Sequence, residues 1–244
     1  GLFIRDCFED QANTIRRWRA LWPSLDIKPP GVNGALGSRP VEANTCWFYD
    51  LNRSPGILAV NANVQIKSCT FRNLRGRGIE LANGSLGNLV ENTLSNVTGH
   101  GIFLWRSEGA VYHNSIDTVR PFPGGNTSFG IEQVGPEVGE GQLKPYAHVC
   151  ENIVNEGGNA GVQIRWGRGP VRDNRGTGGR IGIALLRDFA GRVTGEIKKT
   201  QMLGVSLFAT EGPVNLGDTA PGDPHGSLRL IDTAKQGIAI VDAK

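Results

Sequence analysis

One short phrase recurs eight times in a chain of 244 residues: glycine, a β-branched residue, any residue and then, with one exception, an aliphatic one. The copies begin at Gly56, Gly78, Gly101, Gly130, Gly161, Gly182, Gly204 and Gly237. Their spacings of 22, 23, 29, 31, 21, 22 and 33 residues describe a unit near 22 that insertions lengthen three times. A repeat of that length marks a chain of stacked units, none of which can bury its apolar face alone.

A second phrase lies between the first ones. VQIKSCTFRNL (64–74), NLVENTLSNV (88–97), AVYHNSIDTV (110–119), HVCENIVNEG (148–157) and PVRDNRGTGG (170–179) align as a strand, a polar corner and another strand. The corner residues form one column, Cys69, Asn92, Asn114, Asn152 and Asn174, and extending the register backward adds Cys46 and Cys7. Each unit therefore holds two or three short strands of period two with no room for a helix. The 35 glycines, spread along the whole chain, agree with that reading, since an interior glycine costs a helix about 1 kcal/mol relative to alanine. Stacked as a coil, each strand pairs with its equivalents about 4.8 Å above and below, and like residues form ladders along the axis. A buried corner asparagine then satisfies turn backbone and bonds the asparagine on the next rung. In that column cysteine acts as a small apolar filler, although a Cys46–Cys69 bridge between neighbouring rungs is compatible with the spacing.

In repeat length, glycine-aliphatic phrase and asparagine ladder the chain resembles the right-handed parallel β-helix, or pectate-lyase-like, superfamily. The resemblance implies an all-β coil stack with an Asn/Cys ladder. We expect one β-helix domain over 1–244: first coils with an excursion over 1–55, regular coils over 56–212, and a terminal coil and loop over 213–244. Within the first part, ANTIRRWRALWP (12–23) carries Ile15, Trp18, Leu21 and Trp22 at helical spacing and stops at Pro23, which predicts one short helix. KPPGVNGALGSRP (28–40) reads as a surface loop. Insertions near 121–129, 135–145 and 216–227 lengthen single coils, and in solenoids such loops commonly wall the binding face.

Charge narrows the partners. With 26 basic and 23 acidic residues the chain lacks the excess of a nucleic-acid binder, and no apolar run approaches the ~18 residues of a membrane span. The expected location is secreted, at the cell surface or at a virion surface.

On the Gly-β-x-aliphatic strand the second and fourth residues point inward, which aligns the third residues into an outward column. It reads Leu58, Glu80, Phe103, Glu132, Gln163, Ala184, Ser206 and Ala239, with Val60, Ala82, Trp105, Val134, Arg165, Leu186 and Phe208 beside it. We expect these columns to be exposed and to carry the chemistry. Glu80 and Glu132, two coils apart, have a separation compatible with the carboxyl pair of an inverting glycosidase. Arg165 and Arg106 offer the alternative, cations that neutralise a uronate carboxylate while a base such as His100, His113, Tyr146 or Lys144 removes the adjacent proton. Glu80, Glu132 and Arg165 are thus the catalytic candidates. Trp105, Arg106, Gln163 and Phe103 are the substrate-binding ones, the aromatics offering apolar area to a sugar ring.

Two local likenesses are incomplete. TGHGIFLWR (98–106) with GVQIR (161–165) is similar to the Gly-His-Gly and Arg-x-Lys elements of polygalacturonases, but the aspartates that precede them there have no counterpart in GIELANGSLGNLVEN (78–92). GDPHG (222–226) is similar to the Asp-Pro-His of alginate epimerases, which sits earlier in their stack behind a Tyr-Gly that is absent here. No cofactor is called for, and calcium on scattered carboxylates is the one metal the pattern leaves open.

Two functional classes follow. One is a carbohydrate-active enzyme, a lyase or a glycoside hydrolase, that cleaves an extended anionic polysaccharide on the exposed face. The other is a non-catalytic β-helix, such as a tail-spike shaft, capsid protein or surface adhesin, or a fragment of a longer enzyme. An exposed apolar strip such as Leu186–Phe208 would build a homo-oligomer.

Overall fold

The computed structural model describes residues 1–5, 41–52, 54–136, 145–187, 189–210, 214–217 and 227–241. Every strand pairing among them is parallel and joins one coil to the next. Among the described residues the front sheet stacks nine strands, Leu2–Arg5, Ile57–Val60, Ile79–Ala82, His100–Trp105, Phe129–Val134, Ala160–Arg165, Ile181–Leu186, Leu203–Phe208 and Gln236–Val241. Each eightfold phrase of the sequence falls in one of the last eight. The remaining strands form a second sheet in two rows that meet at the asparagine corner, for example Leu86–Val90 turning into Thr93–Thr98 and Glu108–Tyr112 into Ser115–Arg120. The predicted helix over 12–23, the loop over 28–40, Cys7, Lys144 and the 222–226 motif lie outside the described residues.

The core runs along the coil axis as columns of aliphatic side chains from the sheets, among them Ile57, Ile79, Ile102, Ile131, Val162, Ile183 and Val205, all but sealed from solvent. The recurring glycine has a packing cause. A Cβ on Gly78 would lie 2.3 Å from the Leu94 side chain and 2.5 Å from the Gly101 carbonyl oxygen. On Gly101 it would lie 2.6 Å from the Gly130 oxygen and 2.9 Å from Ile116. Neither glycine has a positive φ; the residue is small because the third strand of its coil packs against its inward side. Glycine and the next residue both face the core, which breaks the two-residue alternation and turns the residue before the glycine outward. That adds a third outward column to the two read from the sequence: Arg77, His100, Phe129, Ala160, Ile181 and Leu203.

The corner ladder is present. Asn92 Nδ2 donates to Asn114 Oδ1, Asn114 Nδ2 to Asn152 Oδ1 and Asn152 Nδ2 to Asn174 Oδ1, each at 2.9 Å. The same oxygens accept the backbone N–H of the preceding rung. Cys69 continues the column, its N–H donating to Asn92 Oδ1 at 3.0 Å while its Sγ accepts from Cys46 N–H. Cys46, Cys69 and Cys150 carry free thiols, and burial pushes the Cys69 thiol up. The residue before the ladder has left-handed backbone at every rung: Ser68, Glu91, His113, Glu151 and Asp173, with φ of 52, 56, 54, 54 and 52°. A non-glycine residue rarely adopts that conformation, and the amide ladder beside it fixes the turn.

Candidate functional site

The front sheet brings both outward columns into the register expected from the sequence. Leu58, Glu80, Phe103, Glu132, Gln163, Ala184, Ser206 and Ala239 are successive Cα partners, as are Trp105, Val134, Arg165, Leu186 and Phe208. Their expected exposure does not hold at the middle coils. Phe103 is 8% exposed, Glu132 4%, Gln163 7% and Ala184 3%. The third outward column supplies part of the cover. His100 stacks on Phe103 with centroids 4.8 Å apart and on Phe129 at 5.5 Å, and the Arg77 guanidinium lies 4.3 Å from the Phe103 ring centroid.

Six polar side chains meet there. Arg77 Nη1 pairs with Glu80 Oε1 at 2.5 Å. Gln163 Nε2 donates to Glu132 Oε1 at 2.7 Å, and Arg165 Nη2 approaches the same oxygen at 3.9 Å. The other oxygen, Oε2, faces His100 Nδ1 at 3.5 Å. That contact is too loose to count as a hydrogen bond, so Nδ1 is buried without one, as are the Nε atoms of Arg77 and Arg165. Three orphaned polar atoms in one cluster are unusual in a native interior.

Burial sets the protonation of the central pair. Desolvation raises the Glu132 carboxyl above the ordinary range, against the opposing pull of Gln163, Arg165 and Arg77. Desolvation, aided by the Arg77 charge, lowers His100 to about 4. Burial thus shifts both groups toward their neutral forms. His100 is the residue the column argument passed over. The signal was the residue before each glycine, hidden by the break in alternation.

The remaining candidates are elsewhere. In the register Phe103 stands between Glu80 and Glu132, and Glu80 is engaged by Arg77, so the two carboxylates do not flank an open gap. Trp105 is 37% exposed at the strand end, where the Arg106 guanidinium lies 5.2 Å from its ring. Two coils along the same corner, Trp166 receives the guanidinium groups of Arg165 at 5.2 Å and Arg187 at 5.1 Å. His113 bonds Glu151 at 2.5 Å at the asparagine corner, away from the front sheet. Tyr146 donates its N–H to Glu108 Oε1 at 3.2 Å, and burial raises that carboxyl to about 7. Among the described residues no group of three or more His, Cys, Asp or Glu side chains is placed to hold a metal ion, and no helix is long and apolar enough to cross a membrane.

A family model described as a right-handed β-helix region matches residues 34–117, which span the first regular coils and the start of the asparagine ladder. The fold is that of the right-handed parallel β-helices. One solved structure similar to this β-helix is a double mutant of the periplasmic alginate epimerase AlgG, at 15% identity and a TM-score of 0.49. The alignment covers 85% of this chain and 52% of that one, so the β-helix spans about half the length of its neighbour. No curated protein matches the sequence.

Proposed function

We propose that this β-helix cleaves a uronate-containing polysaccharide by β-elimination at the front sheet, outside the cytoplasm. The observation that carries the reading is the juxtaposition of buried His100 and Glu132, 3.5 Å apart, with the Arg165 guanidinium on the far carboxylate oxygen. Elimination needs a base for the proton beside the sugar carboxylate, a cation to stabilise the negative charge that builds there, and an acid for the departing oxygen. His100, held neutral, serves as the base. Arg165, with Arg77 behind it, faces the charge, and the proton returns to the leaving oxygen as the C–O bond breaks. Two-carboxylate hydrolysis is less well supported, because Phe103 occupies the register position between Glu80 and Glu132 where a water would have to enter. Trp105 and Trp166, each beside an arginine, suit a sugar chain that carries carboxylates.

The test is a panel of uronic-acid and neutral polysaccharides, followed in parallel by ultraviolet absorbance of unsaturated uronates and by new reducing ends. Both signals together, abolished by His100→Gln and Glu132→Gln, support elimination. Reducing ends without absorbance overturn it in favour of hydrolysis. A second reading, a non-catalytic shaft, draws on the exposed Phe208 beside Leu186 on the front sheet. Light scattering at the mass of a trimer, with silence on every substrate, selects it.

A further inference from the structure

The carboxyl of Glu132 has two unlike oxygens. Oε1 accepts the Gln163 amide at 2.7 Å and faces Arg165 at 3.9 Å, whereas among the described residues Oε2 has the imidazole nitrogen of His100 in front of it, at 3.5 Å. A proton on Oε1 would compete with a donor already in place and would face a cation, so a protonated Glu132 carries its proton on Oε2. There it points at a buried nitrogen that has no hydrogen-bond partner among the described residues.

We propose that Gln163 is a positioning residue that confines the Glu132 proton to Oε2, so that loss of this one proton switches the tautomer of His100 and turns it into a base. With Glu132 protonated, Oε2–H closes the 3.5 Å gap and donates to Nδ1, and the hydrogen of the neutral ring sits on Nε2. When the carboxyl proton leaves to water, Oε2 becomes an acceptor and the ring hydrogen moves to Nδ1. Nε2 is left with a free lone pair for the substrate. Proton count balances: one proton goes to solvent, and the ring keeps one hydrogen throughout. The charged groups facing the pair are Arg77 and Arg165, with Glu80 held on Arg77. None of them supplies a second donor to Oε2 or a partner to Nδ1. The two aromatic rings stacked against the imidazole hold it in plane while the hydrogen changes sides. This inference deepens the reading of His100 as a base, but its readout does not need turnover.

The experiment is long-range nitrogen–proton correlation NMR on the full chain labelled with ¹⁵N-histidine, titrated from about pH 5 to about pH 9. Its peaks are assigned with single-histidine substitutions. The expected result for His100 is a pyridine-like Nδ1 at the acid end and a pyrrole-like Nδ1 at the alkaline end, with the ring neutral throughout. Glu132→Gln fixes one tautomer over the whole range. Gln163→Leu keeps the pyrrole-like Nδ1 at the alkaline end but gives a mixture of both tautomers at the acid end, and Gln163→Met, which keeps more of the side-chain length, gives the same result if the leucine variant folds poorly. A wild-type tautomer that stays constant, or a Gln163→Leu titration that overlays the wild type, overturns the proposal. A tautomer switch without turnover on any polysaccharide leaves the relay standing and removes the elimination reading instead.

Discussion

Replacing Asn152 by alanine tests the corner ladder at its best-connected rung. Its Oδ1 accepts from Asn114 N–H and Nδ2, and its Nδ2 donates to the carbonyls of Val111 and Cys150 and to Asn174 Oδ1, all within 2.9–3.0 Å. The site is fully buried, so water cannot replace what is lost. A buried group left unpaired costs about 1–3 kcal/mol. Asn114 N–H and the Val111 and Cys150 carbonyls all lose a partner, and the neighbouring amides partly relax, so the expected loss is about 3–5 kcal/mol. In urea unfolding followed by circular dichroism, with a slope of about 3 kcal/mol/M, the midpoint falls by at least about 1 M. A fall below about 0.3 M with an unchanged slope would refute the claim that the ladder holds the corner.

Gly101→Ala forces a Cβ to within 2.6 Å of the Gly130 oxygen and should prevent soluble expression, whereas Gly84→Ala meets nothing within 4 Å at its φ of 81°; the latter should lower stability by only about 1 kcal/mol, the strain of a left-handed turn, read by thermal melts. Glu108 has its folded pKa raised to about 7 from 4.5. The folded state therefore binds its proton more tightly, and stability falls as pH rises between those values. Glu108→Gln should match the wild type near the acid end of that window and exceed it by up to a few kcal/mol above its upper end, measured by melts on both sides. His100 and His148, both lowered to about 4, run the other way: their contribution is present above 6.5 and is lost as pH falls toward 4. Phe103→Ala removes the ring beneath both Arg77 and His100 and should shift the His100 titration upward as water enters, seen in the same histidine spectra.

The strands and their register were legible because stacking turns each structural need into a column of like residues. Asn92, Asn114, Asn152 and Asn174 announce the corner, and Gly78 to Gly237 announce the place where the third strand crowds the first. The burial of Glu132 was not legible. Alternation predicts outward direction, and outward was equated with exposed, but His100, Phe103 and Phe129 are bulky enough to cover a neighbour on the same face. His100 was legible as a candidate base but not as a member of the outward face, because the glycine and the residue after it both turn inward, and a strict period of two places the preceding residue on the wrong side. The fate of Trp18, Trp22 and the 222–226 motif lies outside the described residues.

The asparagine column has a further property. At each of the three steps the amide nitrogen belongs to the earlier coil and the accepting oxygen to the later one. The side-chain dipoles therefore lie head to tail, and each bond polarises the next in the same sense. The stack thus has an electrical polarity along its axis, independent of the direction of its strands. A coil moved from one place in the column to another keeps that polarity. A coil whose corner amide is turned the other way would set nitrogen against nitrogen on one side and oxygen against oxygen on the other, so the ladder selects which coils can be inserted, duplicated or exchanged.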